Sequence, residues 1–330
     1  GIGGDMALAR LANTGLVKRA AGAAMSQREE DFVPRRYRVR HTTTYDYDAD
    51  VVGCYERGFL SLRDTPHQQV VSLDVDVHPE PDILATHLDF FGNESYYVEV
   101  RTRHTTFSAT MTAQVDVEWP KTDVAQLNQW TIAQAAALVA GPEGPDPVTA
   151  AAYLLPSPLI ELGPEVEAFA ARLLPPERPL GEALADLFGT IYREFDYKKG
   201  ATSVKTTLPE ILALRAGVCQ DFAHLAIGAL RSVGLPARYV SGYIETFPPP
   251  GQEKLEGSDA THAWASVWTP GGQWVDLDPT NDHFADSRYV VTAWGRDFRD
   301  VSPLKGIIFT ESKKSTMDVA VDVRRLPAPG

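Results

Sequence analysis

The stretch RAGVCQDFAHLAIGALRSVGLPARYVSGY, residues 215–243, decides the fold. After Cys219 the apolar positions lie nearly all round a helix, which predicts a buried central helix with the cysteine at its start. Gly234 stands where a left-handed cap is expected, and Pro236 prevents the helix from continuing. A thiol at a helix N-terminus is favoured as the reactive thiolate, whereas most buried cysteines act as small hydrophobes. Other residues must decide which kind of thiol this is.

A hairpin downstream supplies candidate partners for the cysteine. Its strands are HAWASVW (262–268) and WVDLDPT (274–280), joined by a turn rich in Pro and Gly. In the first strand His262, and in the second both Asp276 and Asp278, point to one face. If Trp268 pairs with Trp274, then Asp278 is the diagonal neighbour of His262, and a shift of two would put them directly opposite. Because Asp276 and Asp278 are two residues apart and share a face of the strand, the alternation alone does not show which of them orients the imidazole.

Together these residue types form a device for acyl transfer. A carboxylate fixes the tautomer of an imidazole and stabilises its cation. The cation and the helix field then both favour the thiolate of Cys219. The structural alternative is a buried cysteine, a satisfied core histidine and an aspartate that caps the chain before Pro279. A metal site is less favoured, because Cys219 and His224 are five residues apart on a helix and point to different faces.

The chain as a whole predicts an α+β protein. Residues 37–119 alternate apolar and polar side chains, and short strands at this spacing indicate a β-sandwich or a similar antiparallel domain. The period changes to that of helices near Pro120. We therefore divide the chain into an N-terminal tail (1–34), a β-domain (35–120) and a catalytic domain of helices followed by an antiparallel sheet (121–330). In the β-domain we expect packing roles for His41, Tyr45 and Tyr47, and a structural role for the Cys54 thiol.

Composition limits the partners and the location. The net charge is -13, which argues against binding to nucleic acid or to anionic membranes. No apolar run reaches the roughly 18–20 residues that a membrane helix needs. Two cysteines are too few for a disulfide framework, which fits a reducing compartment, and we expect a cytoplasmic protein. Met6 or Met25 is expected as the native start, and the Ala-rich segment between them lacks the apolar core of a secretory signal.

Several motifs resemble a known family. GVCQDFAHLAIGALRSVGLPARYVSGY, DATHAWASVW and WVDLDPTN resemble the transglutaminase-like superfamily of papain-like cysteine enzymes. YRVRHTTTYDYDADV and HPEPDILATHLDFFGNESYYVEV resemble the N-terminal β-domain of bacterial transglutaminase-like proteins. The resemblance covers residues 37–281 and implies a catalytic helix packed on an antiparallel sheet, as in papain-like α+β enzymes. Residue by residue, it implies Cys219 as nucleophile, His262 as general acid/base and Asp278, rather than Asp276, as the residue that orients the histidine. It assigns no side-chain oxyanion donor.

The resemblance also implies an activity. Thioester chemistry on a peptide or protein substrate is expected, with no cofactor and no calcium, because no acidic loop resembles the calcium sites of animal transglutaminases. Hydrolysis of an amide or peptide bond is the first expectation, acyl transfer to an amine with cross-linking of protein glutamine is the second, and a non-catalytic peptide- or protein-binding module is the third. Four aromatic residues could line a substrate cleft, although core packing is favoured for each: Tyr239, Tyr243, Trp264 and Trp294.

Overall fold

The computed structural model describes residues 27–248, 251 and 253–327. The two candidate start residues, Met6 and Met25, lie outside the described residues. The first part of the chain forms strands, after a short 3₁₀ turn at Glu29–Phe32. These strands are β1 (Arg35–Gly58), β2 (Gln68–His78), β3 (Ile83–Leu88), β4 (Glu94–Val100) and β5 (His104–Val117).

The middle of the chain is helical, as its period predicts, and contains two short parallel strands. Its elements are α1 (Val124–Leu127), α2 (Ile132–Leu138), α3 (Pro147–Leu154), α4 (Pro164–Leu173), α5 (Leu180–Glu194), β6 (Asp196–Tyr197), α6 (Leu208–Leu214), β7 (Ala216–Gly217) and α7 (Cys219–Ser232). The last third of the chain returns to strands: β8 (Ala237–Ile244), β9 (Thr261–Thr269), β10 (Gln273–Asp278), β11 (His283–Phe284), β12 (Tyr289–Gly295), β13 (Lys305–Thr310) and β14 (Ser315–Leu326).

The long strand β1 organises the first sheet. It has 24 residues and lies at the centre of the order β2-β5-β1-β4-β3. Its first half also pairs with β14 and its second half with β13, so seven antiparallel strands of the described residues share one hydrogen-bonded sheet. The antiparallel pairing agrees with the sequence prediction, and the sandwich-like arrangement of the first domain stays a prediction.

The C-terminal strands join the first sheet and not the second. Residues 305–326 fall within the domain predicted over 121–330, and β13 and β14 are hydrogen-bonded to β1. The register runs from Arg36 opposite Leu326 to Tyr47 opposite Ser315. Because the choice of partner for a strand depends on tertiary contacts more than on its own pattern, the sequence of this segment does not reveal it. The division of the chain into domains stays a prediction.

The second sheet is buried on both faces. Its five strands have the order β11-β10-β9-β8-β12. Ala263 and Ala265 pack with the apolar residues of α7 on one face, whereas Trp264 and Val240 pack with Tyr37 of the first sheet on the other. Consequently β9 is buried from its second residue to its last, although its sequence alternates.

Helix α7 is the buried central helix that the sequence predicts. Every residue from position 221 to position 231 is buried, and the helix begins at Cys219. Gly234, just beyond its end, has a φ of +82°, the left-handed conformation expected of a glycine cap. None of the helices in the described part of the chain is long and apolar enough to cross a membrane. The cytoplasmic location stays a prediction.

Candidate active site

The turn before α7 fixes the position of Cys219. Strand β7 pairs in parallel with β6, and the amide of Lys198 donates to the carbonyl of Gly217 at 2.8 Å. One carboxylate oxygen of Asp221 accepts hydrogen bonds from the amide of Val218 at 2.8 Å and from the hydroxyl of Thr202 at 2.6 Å. These contacts hold the first turn of the helix from both sides, and the thiol of Cys219 stays partly exposed.

The hairpin has the register predicted from its sequence. Trp274 lies opposite Trp268, and the same pairing continues to Leu277 opposite Ala265. His262 and Asp278 are therefore diagonal neighbours, and Nε2 of His262 donates to Oδ2 of Asp278 at 2.7 Å. Both side chains are fully buried.

His262 and Asp278 form an ion pair, because each favours the charged form of the other. Burial opposes the charged form of His262, but the Asp278 carboxylate outweighs it, and the pKa of His262 is raised to about 10. Burial likewise opposes the charged form of Asp278, yet His262 holds the pKa of that carboxyl below its usual range. Cys219 is near enough to raise the pKa of His262 as well, although the buried Nδ1 makes no hydrogen bond of ordinary geometry. Nδ1 is therefore the ring nitrogen available for proton transfer, because Nε2 is occupied by Asp278.

In the structure, the two aspartates that share a face of β10 have different hydrogen-bond partners. Asp276 accepts hydrogen bonds from the indole Nε1 of Trp264 at 2.7 Å and from the hydroxyl of Ser266 at 2.5 Å. It makes no hydrogen bond to His262 in the described part of the chain. Asp278 is thus the aspartate that contacts the imidazole of His262, and Asp276 links the two strands in the middle of the hairpin.

Two further residues contact Asp278 and were not identified from the sequence. The hydroxyl of Tyr289 donates to Oδ2 at 2.5 Å, and Nδ2 of Asn281 donates to the same oxygen at 2.7 Å. The other oxygen, Oδ1, accepts from the amide of Thr280 at 2.9 Å. Asn281 follows the Asp-Pro-Thr motif directly and could have been proposed as a turn residue. Tyr289 arrives on another strand, and its sequence carries no comparable signal.

Tyr197 lies against the first turn of α7. It pairs with Gly217 across the β6–β7 bridge, and its ring packs edge-on against Phe222 with centroids 6.2 Å apart. Burial raises the pKa of the Tyr197 hydroxyl, and the neighbouring Cys219 raises it further. A protonated hydroxyl therefore lies near Cys219. This residue was also missed, since nothing in a strand of two residues marks it.

The remaining residues singled out from the sequence have structural positions. Tyr239, Tyr243 and Trp264 are buried in the core and do not line an open cleft. Trp294 is stacked between the guanidinium groups of Arg63 and Arg238, which lie 3.5 and 3.7 Å from its ring centroid.

The candidates of the first sheet likewise pack within the protein. His41 contacts the second sheet, with Nδ1 2.7 Å from the hydroxyl of Tyr243, and Tyr45 stacks on Tyr47. Cys54 is buried, its thiol donates to Glu56 at 3.6 Å, and burial raises the pKa of that thiol. Over residues 27–248, 251 and 253–327, no group of three or more His, Cys, Asp or Glu side chains is arranged to hold a metal ion.

Comparison with known proteins identifies the family of the chain. The sequence profile of the Transglutaminase-like superfamily matches residues 167–279, and that of the Bacterial transglutaminase-like N-terminal region matches residues 37–116. Uncharacterized proteins of Mycobacterium bovis and Mycobacterium tuberculosis are 44% identical to the chain over 296 residues, which cover 87% of this chain and 92% of theirs. An uncharacterized protein of Mycobacterium leprae is 31% identical over 294 residues, 88% of this chain and 99% of its own.

A solved structure extends the comparison to three dimensions. The crystal structure of a protein from Cytophaga hutchinsonii, provisionally described as a cysteine protease, superposes with a TM-score of 0.69 and 22% identity, over 88% of this chain and 91% of its own. At this identity the likeness concerns the fold, which is mixed α+β with a papain-like core. From the two profile matches and the extent of the similarity to its relatives, the chain belongs to the transglutaminase-like superfamily and carries the superfamily's bacterial N-terminal region.

Proposed function

We propose that the chain is a cysteine-dependent hydrolase that cleaves an amide or peptide bond in a peptide or protein substrate through a thioester. The observation that carries this proposal is the fully buried ion pair of His262 and Asp278 beside Cys219, which starts a helix. A core histidine with a merely structural role has no need of a buried carboxylate that keeps it charged at neutral pH. Removing two charges from water is costly, so such a pair is a candidate for chemistry.

The first half of the reaction forms the thioester. The thiolate of Cys219 attacks the substrate carbonyl carbon, and the resulting oxyanion can accept hydrogen bonds from the N–H groups of the first turn of α7, which have no partner within the helix. His262 gives its Nδ1 proton to the leaving nitrogen as the carbon–nitrogen bond breaks. The amine leaves and an acyl group stays on sulfur.

The second half returns the enzyme to its starting state. His262, now neutral, takes a proton from a water molecule at Nδ1 while the water oxygen attacks the thioester. The carbon–sulfur bond breaks, the thiolate is restored and the acid product leaves. Asp278 stays ionised throughout and holds Nε2, so that Nδ1 faces the reacting atoms.

The nucleophile can be tested without knowing the substrate. We expect iodoacetamide to label Cys219 rapidly near pH 6, read by mass spectrometry, and His262→Gln to remove this reactivity at low pH. Cys54 in the same protein is the internal control, because it is a buried thiol outside the site. Labelling of Cys219 that is as fast in His262→Gln as in the wild type at every pH would remove the basis of the proposal.

The reaction itself requires a substrate assay. Fluorescent casein is a suitable first protein substrate, with Cys219→Ala as the matched inactive variant. Release of acid-soluble fragments by the wild type and not by Cys219→Ala would support hydrolysis. If both proteins instead bind a peptide ligand equally and neither releases product, the chain is a binding module.

Acyl transfer to an amine is the second candidate. A segment of 67 residues is 37% identical to a protein named Protein-glutamine gamma-glutamyltransferase from Pseudomonas aeruginosa, a match that covers 20% of this chain and 10% of that protein. The thioester is common to both reactions, and only the second nucleophile differs. Incorporation of dansylcadaverine into unlabelled casein, dependent on Cys219 and faster than hydrolysis, would favour transfer.

A further inference from the structure

The carboxylate of Asp278 accepts more hydrogen bonds than are needed to orient a histidine. Three donors converge on its Oδ2 atom: Nε2 of His262 at 2.7 Å, Nδ2 of Asn281 at 2.7 Å and the hydroxyl of Tyr289 at 2.5 Å. Tyr289 reaches this oxygen from the start of β12. This strand pairs with β8 and forms the edge of the sheet, whereas Asp278 lies on β10, with β9 and β8 between them. Its side chain is fully buried and packs edge-on against Trp264, with centroids 5.1 Å apart.

We propose that Tyr289 is a positioning residue of the catalytic pair, and that its hydroxyl, with Asn281, draws negative charge from Oδ2 of Asp278 and so moderates the strength of the Asp278–His262 ion pair. A carboxylate oxygen that accepts several hydrogen bonds is a weaker base and a weaker partner for any one of its donors. The inference rests on the proposed function, because only a histidine that both gives and takes a proton in turn needs such moderation.

The need follows from the two halves of the reaction. The imidazolium must lose its Nδ1 proton to the leaving amine, and the neutral ring must later accept a proton from water. If Asp278 kept its full negative charge on Oδ2, the ring of His262 would stay charged, and hydrolysis of the thioester would lack a general base. The hydroxyl of Tyr289 is suited to moderation because it donates without adding charge, and burial together with Asp278 raises its own pKa so that it remains protonated.

Other titratable groups face this network and must be held constant in a test. They come from β6, α7, β11 and the turn before β12: Tyr197, Cys219, His283, Asp286 and Arg288. A change confined to the hydroxyl of Tyr289 keeps all of these side chains, and of their contacts it removes the one between that hydroxyl and Nδ1 of His283 at 3.5 Å. Tyr289→Phe is therefore the informative variant.

The experiment is an NMR titration of full-length protein labelled with ¹⁵N-histidine, with the His262 ring assigned by its loss in His262→Gln. In Tyr289→Phe we expect the His262 titration to move up by about one pH unit, which is about 1.4 kcal/mol. Asn281→Ala is expected to move it in the same direction and gives an independent test should one variant not fold. Tyr243→Phe is the matched control, since Tyr243 is equally buried in the same sheet and its hydroxyl contacts His41 instead.

The outcomes separate this inference from the proposed function. An unchanged or downward titration of His262 in folded Tyr289→Phe, or an equal upward shift in Tyr243→Phe, would overturn the role of Tyr289, whatever substrate is found. An upward shift in Tyr289→Phe alone supports the role even if no hydrolysis is detected. If hydrolysis is detected, the basic limb of its pH profile should move upward with the NMR titration, which a purely structural tyrosine would not cause.

Discussion

Replacing Asp278 with asparagine should abolish the charge on His262 at neutral pH. The carboxylate is fully buried and is the group that holds His262 in its cationic form against the effect of burial. Asparagine keeps the size of the side chain and the possibility of one hydrogen bond, but removes the negative charge. Burial then acts on His262 with only Cys219 opposing it, and its pKa should fall from about 10 toward its ordinary value of about 6.5.

The magnitude follows from that fall. The largest fall, about 3.5 pH units at about 1.4 kcal/mol each, sets an upper limit of about 5 kcal/mol. It agrees with the roughly 3–5 kcal/mol expected when one partner of a buried ion pair is removed. For hydrolysis we expect a loss of about 10⁴-fold, as for the same carboxylate-to-amide change in a serine protease triad.

The assay is the rate of iodoacetamide labelling of Cys219 at pH 6, which should fall at least about tenfold in Asp278→Asn. The matched control is Asp276→Asn, two residues earlier on the same strand and face, whose carboxylate binds Trp264 and Ser266. That variant should lose stability but keep the labelling profile of the wild type. Equal labelling of Asp278→Asn and wild type at pH 6, or an equal loss in both variants, would refute the reasoning.

Three further predictions concern stability. The pKa of His262 in the folded state lies above its unfolded value. Its contribution to the free energy of unfolding is therefore complete below about pH 6.5 and is lost as the pH rises through about 10. The difference in Tm between wild type and His262→Gln should shrink over this pH window. Gly242→Ala should cost more than about 3 kcal/mol in urea unfolding, because its Cβ would lie 2.0 Å from the carbonyl oxygen of Val290. Gly163→Ala has open space around it and loses only a favourable N-cap residue of α4, so it should cost about 1 kcal/mol or less. Burial raises the pKa of Glu56 to about 7, so its ionisation destabilises the fold as the pH rises from about 4.5 through 7, and Glu56→Gln should raise Tm at pH 8 more than at pH 5.

The parts of the site that are close in sequence could be predicted from it. The hairpin turn is short, so the period of two and the pairing of Trp268 with Trp274 were enough to place His262 diagonally to Asp278. The apolar positions after Cys219 were likewise enough to identify a helix buried on all sides. In both cases the pattern and the structure it specifies lie within about twenty residues.

The choice between Asp276 and Asp278 needed more than the pattern. Both residues face the same way, and they differ in their donors: Trp264 and Ser266 of the same hairpin for the first, and Asn281 with Tyr289 of another strand for the second. Strand order decides which donors approach, and strand order is a tertiary property. The resemblance to the transglutaminase-like superfamily selected Asp278, the aspartate that contacts His262 in the structure, and its catalytic role stays a prediction.

The C-terminal strand shows why the site is not a property of its motifs alone. Strand β14 lies beside β1, yet its Val321 carbonyl accepts from the amide of Asp259, and its Val323 amide donates to the carboxylate of Asp259 at 2.7 Å. Asp259 stands three residues before His262, so the last strand of the chain anchors the start of β9. The first sheet also covers the face of the second that carries Trp264 and Tyr289. The position of His262 relative to Cys219 is therefore set by α7 on one face of the second sheet and by β1 and β14 on the other. The burial of the ion pair depends on both layers.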